Sequence, residues 1–491
     1  MMREPLLIAA AAGLMFCNAA GADSTFGAKP LRGLQYGDVL FHYYQDQDFD
    51  ALTELMMARS LDQPQANDVD GELLLAGLLL SFGQTRDAIT GFEHALQTEV
   101  RRDKRNQAWL SLARALHQTR ANSEALAALQ HIDAPLESDS KSDLEADRQM
   151  LTAELLIDLG RFDEAASTLR RWKGARDWMP YAQYNLGVAL LRAGRKDEGE
   201  KQLDAVDRFD LRAEEQRALR DRANTALGYS HLQAKEWDAA RNALRRVRLA
   251  GPSSNQALLG LGWAESGLEN DRDALVPWME LASRDAADLA VQEALLAVPY
   301  AMARADAPTA AAEQYQVAVN RFQQQAQKLD ALSAAVKQNS FVDRLLDASD
   351  AQGDLKADAS KPVAPLAQLP EAPEYQALSK LIASDEFQSG LHNARRLRFL
   401  KQHLAGWLPR VAALKAAAPN ADWPAQSARL AKLSEACDRM LQRQRSALQD
   451  QALAEMQRTR KRLADYETEA RFAQARVLDR STTAPAAGKR P

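Results

Sequence analysis

Residues 223–252, ANTALGYSHLQAKEWDAARNALRRVRLAGP, decide the fold. Two short helical patterns sit back to back in this stretch. Gly228 is the small residue where the two helices must touch, and Ala240 lets the second helix pack closely on the first. Trp237 stands at the entry to the second helix. Leu244 and Val247 fill the interface, and Pro252 ends the unit.

Working outward, the same residue classes return. Small residues opening a second helix stand at Ala51, Ala88, Ala125, Ala165, Gly199, Ala240, Ala274 and Ala311, with spacings of 37, 37, 40, 34, 41, 34 and 37. Twelve positions earlier come Ala76, Ala113, Ala153, Gly187, Gly228 and Gly262, most of them preceded by Leu. Four positions after each opening residue stands a large apolar one: Leu55, Phe92, Leu129, Leu169, Leu203, Leu244, Trp278 and Tyr315. A single helix pair built this way leaves one apolar face open, so only stacked neighbours are stable. This set of positions resembles the tetratricopeptide repeat over about residues 32–325. The expected fold is all-α, a superhelical solenoid of about eight helix pairs. The end copies depart from the pattern. The first lacks the Gly, and the last has Pro299 at the small site and Pro308 in the turn.

The resemblance implies a concave groove lined by the first helix of each pair, with positions 2, 5, 9 and 12 of the unit pointing inward. In this register the groove residues are Arg114, His117, Tyr181, Tyr184, Arg222, Tyr229 and Trp263, with Leu110 and Leu259 between them. Aromatic side chains and Arg carry much of the binding energy at interfaces. The same aromatics could instead pack between neighbouring units, the role expected of Trp172, Trp237 and Trp278. Tyr184, Arg222 and Tyr229 should converge on one stretch of groove.

Beyond the repeats, residues 313–346 read as one helix that outgrows the last unit, with 326–347 as its extension. Pro362, Pro365, Pro370 and Pro373 mark 348–373 as a linker or loop. A long helical hairpin is expected over 374–480. Its first arm runs from Tyr375 to Ala418, with a break near Ser389-Gly390. A turn follows at 419–424, and no Pro or Gly appears from there to Asp479, which allows a helix of roughly 80 Å. Met456, Leu463, Ala470 and Val477 keep a heptad spacing on it. The simplest cover for this stripe is the arm 391–418 with the 313–346 helix as third member. A second copy of the chain is another. Arg458, Arg460, Lys461 and Arg462 form a basic cluster that reads as a solvated face or as a contact for an acidic partner or anionic lipid. Residues 481–491 read as a disordered tail.

The chain opens MMREPLLIAAAAGLMFCNAAGA, an apolar run with an Ala20-Gly21-Ala22 cleavage pattern. A signal peptide over 1–22 and a periplasmic mature protein beginning near Asp23 are the expectation. Lipidation at Cys17 is the lesser reading, because Phe16 stands where a small residue is needed. No later segment is apolar enough for stable membrane insertion. After cleavage only Cys437 remains, so apolar burial must supply the stability. A net charge of −5 argues against general nucleic-acid binding.

Catalytic signatures are missing. There is no P-loop, dinucleotide fingerprint, H-E-x-x-H, paired C-x-x-C or G-x-S-x-G. The seven His show no metal spacing, and no cofactor is expected. The expectation is not an enzyme but a periplasmic interaction scaffold of a cell-envelope complex, holding a peptide or protein in its groove. The alternative is a structural or assembly factor acting through the C-terminal hairpin.

Overall fold

The computed structural model describes residues 34–45, 47–98, 101–133, 144–172, 174, 176–338, 340–352, 372–417 and 423–483. The expected leader, residues 353–371 of the proline-rich segment, the turn at 418–422 and the tail from 484 lie outside them.

The described residues form helices and turns, with no strand among them. Eight consecutive pairs open the chain. They are α1 (Leu34–Tyr44) with α2 (Asp48–Ser60), α3 (Val69–Ser81) with α4 (Thr85–Leu96), α5 (Arg102–Gln118) with α6 (Asn122–Gln130), and α7 (Leu144–Asp158) with α8 (Phe162–Arg170). Next come α9 (Met179–Arg192) with α10 (Lys196–Ala205), α11 (Glu214–Gln233) with α12 (Trp237–Leu244), α13 (Ser254–Gly267) with α14 (Asp271–Ser283), and α15 (Leu289–Arg304) with α16 (Pro308–Lys337). Every opening residue of the register lies in the second helix of its pair. Seven of them are Ala at 0 % exposure, and Gly199 is buried.

The turn inside each of the seven pairs after the first obeys a rule as strict. Seven residues after the small position, Gly83, Arg120, Gly160, Gly194, Lys235, Glu269 and Asp306 all take a left-handed conformation, with φ from 60° to 76°. That residue ends the first helix and swings the chain back antiparallel to it. Glycine adopts it freely, whereas a side chain costs energy there.

The chain forms two compact units that interleave along the sequence. One comprises residues up to 87 together with 329–459, and the other comprises 88–328 together with 460–491. In the second unit the pairs α5–α16 pack as the register requires. A Cβ at Gly228 would lie 2.4 Å from Leu244 Cγ, and one at Gly262 would lie 2.2 Å from Trp278 Nε1. Asp221 is fully buried and takes hydrogen bonds from Arg248 Nε at 2.8 Å and from its backbone N–H at 3.3 Å, tying α11 to the turn after α12. The last helix, α21 (Trp423–Thr483), contributes residues 460–483. Its Leu463 and Ala470 are buried, Tyr466 packs on Phe322 at 5.9 Å, and Gln474 donates to the Ala312 carbonyl at 2.9 Å.

In the first unit, α1–α3 pack with the end of α16, with α17 (Ser340–Gln352), α18 (Pro373–Ala377), α19 (Ser379–Ile382) and α20 (Asp385–Ala417), and with the first part of α21. Phe49 meets Phe82 and Phe399 edge-on, and Arg396 donates to the Ser81 carbonyl at the end of α3. Tyr375 stacks on Phe341 at 5.1 Å and donates to its carbonyl at 2.9 Å. Leu441, Leu448, Ala452 and Met456 of α21 are buried here, and Gln449 donates to the Val336 carbonyl at 2.6 Å.

Three expectations need correction. Residues 313–346 are not one helix. The chain breaks between Lys337 and Ser340, and α17 runs to Gln352, five residues into the expected linker, because Phe341, Val342, Leu345 and Leu346 form a buried stripe of their own. Gly390 does not break α20. It lies within a continuous helix, where a Cβ would meet Gln444 Nε2 at 2.8 Å and Leu448 at 2.9 Å, so the glycine admits α21. The hairpin is also not a separate domain, since α21 carries two buried runs, one belonging to each unit.

Candidate interaction face

The residue after each small position forms one column along the first helices of the second unit: Arg114, Glu154, Val188, Tyr229, Trp263 and Tyr300. Neighbouring rungs are bridged by residues of the next pair. Arg114 is ion-paired with Asp147 of α7 at 2.6 Å. Tyr181 of α9 donates to Glu215 of α11 at 2.8 Å. The Tyr229 hydroxyl donates to the Gln256 carbonyl at 2.9 Å, and its ring packs against Leu244, Val247 and Ala257. Trp263 meets Trp278 edge-on at 4.9 Å and Tyr300 at 6.2 Å.

The expected face residues therefore differ in what they offer. Arg222 is exposed. Tyr184 is half-buried beside Val188 and Leu227, and burial raises its phenol pKa while the charge of Arg222 lowers it. Tyr229 is half-buried, and its phenol is pushed up by burial and by Glu293. Glu293 is itself raised by burial and lowered by Arg462, so Tyr229 and the basic residue of α21 face one carboxyl. His117 is occupied at its own turn, with Nδ1 3.0 Å from Asn122 Oδ1. Of the three tryptophans expected in the interface, Trp278 is fully buried, with Nε1 donating to the Leu259 carbonyl at 3.0 Å. Trp237 lies where a Cβ on Gly267 would meet it at 2.4 Å, and Trp172 lies likewise at 2.4 Å from one on Gly174.

The basic cluster is spent piecemeal. Arg458 pairs with Glu455 at 3.1 Å, Arg460 helps to lower Glu467, and Arg462 lies 3.4 Å from Gln292 Oε1. Lys461 is exposed.

Three face residues escaped the sequence reading. Tyr300 and Glu154 follow Pro299 and Ala153, so the register marks both. Trp178 carries no repeat signal. Trp178 and Tyr300 are 38 % and 39 % exposed, more open than the tyrosines the sequence singled out. A fourth group is also new. His231 Nδ1 lies 3.3 Å from Glu200 and 2.7 Å from Glu236, an arrangement that could hold a metal ion. Lys196 Nζ stands 2.7 Å from Glu236 and 3.4 Å from Glu200, so an ammonium already supplies the cation.

A profile of the tetratricopeptide-repeat family matches residues 150–213 and 225–290. These residues carry tetratricopeptide repeats. Comparison with curated protein sequences gives no match. Among solved structures, one titled "MamA MSR-1 C2" is 18 % identical, with 37 % of this chain and 99 % of that one covered and a TM-score of 0.30. A structure of Naa15/Naa10 bound to HypK-THB is 16 % identical, with 92 % and 69 % covered and a TM-score of 0.38. A Rap protein complexed with competence and sporulation factor is 13 % identical, with 60 % and 83 % covered and a TM-score of 0.29. The repeats themselves mark a protein–protein interaction scaffold. Among the described residues no helix is long and apolar enough to cross a membrane.

Proposed function

We propose that the face lined by the first helices of α5–α15 holds an extended segment of a partner protein, and that the chain works in the periplasm as part of a cell-envelope complex. The observation that carries the binding face is the column of same-register side chains on consecutive helices, which ends in Trp263 and Tyr300 and is flanked by exposed Arg222. Open aromatics backed by buried ones present a rigid, partly desolvated surface with polar tips. The opening apolar run and its small-residue site support the address.

Proximity labelling with the full chain tests the face. Arg222→Glu/Tyr300→Ala should lose neighbours that the parent labels, while the fold, followed by circular dichroism, stays intact. Recovery of the mature protein from the periplasm with a start near Asp23 tests the address; an intact Met1 would sink it. A second reading places the main contact on α21, because Leu433 and Met440, seven residues apart, are 46 % and 55 % exposed. That reading wins if Leu433→Glu/Met440→Glu loses the same neighbours and the face variant keeps them.

A further inference from the structure

Glu154 is the anomaly of the column. It follows fully buried Ala153 on α7, so it occupies the face position held by Arg114 one pair earlier and Tyr229 two pairs later. The residue is half-buried, and its Oε1 is sealed from solvent with no hydrogen-bond partner among the described residues. Buried carboxylates are normally paired with a cation or with N–H donors. The nearest candidate in the column, Arg114, is committed to Asp147 at 2.6 Å. Among the described residues the one charged group that acts on Glu154 is another acid, Asp158, one helical turn along the same face. Asp158 is exposed and is held from the preceding pair, with Asn122 Nδ2 donating to its Oδ2 at 3.3 Å.

We propose that Glu154 and Asp158 form a subsite for a cationic side chain, Lys or Arg, of the segment bound on this face. The proposal rests on the face being a binding surface. A guanidinium or ammonium entering there meets two carboxyls and, among the described residues, no cation that already acts on Glu154. Arg suits a pair of acids best, since its planar fork offers donors to more than one carboxyl. Charge linkage follows. Burial and then Asp158 push the Glu154 carboxyl up to about 8, so near neutrality it carries a proton. A bound cation favours the carboxylate and expels that proton to solvent.

The test selects a random dodecapeptide display library on the full chain, wild type and Glu154→Gln in parallel. The carboxamide keeps the size of the protonated acid, so the variant should fold; Asp158→Asn, at an exposed position, is the second variant. Wild-type selection should enrich peptides sharing a Lys or Arg at a fixed distance from an apolar residue. Selection on Glu154→Gln should keep the apolar residue and lose the basic one. The best wild-type peptide should bind Glu154→Gln about tenfold or more weakly and Asp158→Asn a few-fold more weakly. Calorimetry in two buffers of different ionisation enthalpy should show proton release from wild type and none from Glu154→Gln. Enriched peptides without a basic residue, or equal binding to Glu154→Gln, overturn the subsite and leave the face standing. Enriched peptides indifferent to Arg222→Glu/Tyr300→Ala, or no enrichment at all, overturn both.

Discussion

Gly262→Ala is the sharpest probe of the repeat register. The added Cβ would lie 2.2 Å from Nε1, 2.3 Å from Cε2 and 2.5 Å from Cδ1 of Trp278. The indole cannot yield cheaply. It is 0 % exposed, and its N–H is held by the Leu259 carbonyl at 3.0 Å. Overpacking costs about 1–3 kcal/mol, and a broken buried hydrogen bond costs about 1–3 kcal/mol more. Helix propensity returns about 1 kcal/mol, because Ala replaces Gly in a helix. The net loss should be about 1–5 kcal/mol by urea denaturation followed in the far ultraviolet. The control is Gly77→Ala, where a Cβ meets nothing within 4 Å; that change should be neutral or slightly stabilising. A cycle with Trp278→Phe isolates the clash, since the smaller ring leaves room, and the pair should couple by about 1 kcal/mol or more. If Gly262→Ala stays within about 0.5 kcal/mol of wild type, or the two changes simply add, the close approach of α13 and α14 is wrong.

Lys235 sits at φ 60°, so Lys235→Gly should raise stability by about 0.5 kcal/mol, the left-handed strain relieved less the entropy glycine adds to the unfolded chain. Gly194→Ala, at φ 76°, should lower it by about 1 kcal/mol; equal melting of all three proteins would contradict the turn rule. Asp221→Ala leaves Arg248 without its buried partner and should cost roughly 3 kcal/mol in denaturant titration. Glu154 has a folded pKa raised to about 8, so its burial is uncosted at low pH and stability falls as pH rises from the unfolded value towards 8. Glu154→Gln should therefore match wild type near pH 4 and exceed it at pH 9, by at most about 5 kcal/mol; a constant gap across that range would refute the assignment.

The repeat register was legible because close helix contact admits few residue types. Ala51, Ala88 and their counterparts announce themselves by being small where a large neighbour follows. The turn rule was hidden, since four of its seven positions are Arg, Lys, Glu and Asp, which read as surface. The break after Lys337 carries no Pro or Gly, so only the shifted stripe at Phe341–Leu346 marks it. Gly390 misled in the opposite sense, because a glycine that ends a helix and one that admits a neighbour look alike in one sequence. Positions on the face could be counted, but not how open each one is. Whether Tyr229 is free depends on a backbone carbonyl of the next pair, 27 residues on. Glu154 was lost among many carboxylates, for lack of any local sign that its oxygen goes unbonded.

The interleaving of the two units sets an order of events on the nascent chain. Residues 34–87 leave the ribosome before the rest of the described chain, yet the segment that completes their unit, 329–459, emerges only after all of 88–328 has been made. Domains ordinarily fold from the amino end as they appear. Here the earliest helices must wait with apolar surface uncovered while the middle of the chain is made. Closing so long a loop adds little to the equilibrium cost, since loop entropy grows only logarithmically with length. It does slow the search and prolong exposure to wrong partners. A polypeptide of this layout gains from being held unfolded until α21 is free, as a holdase would do.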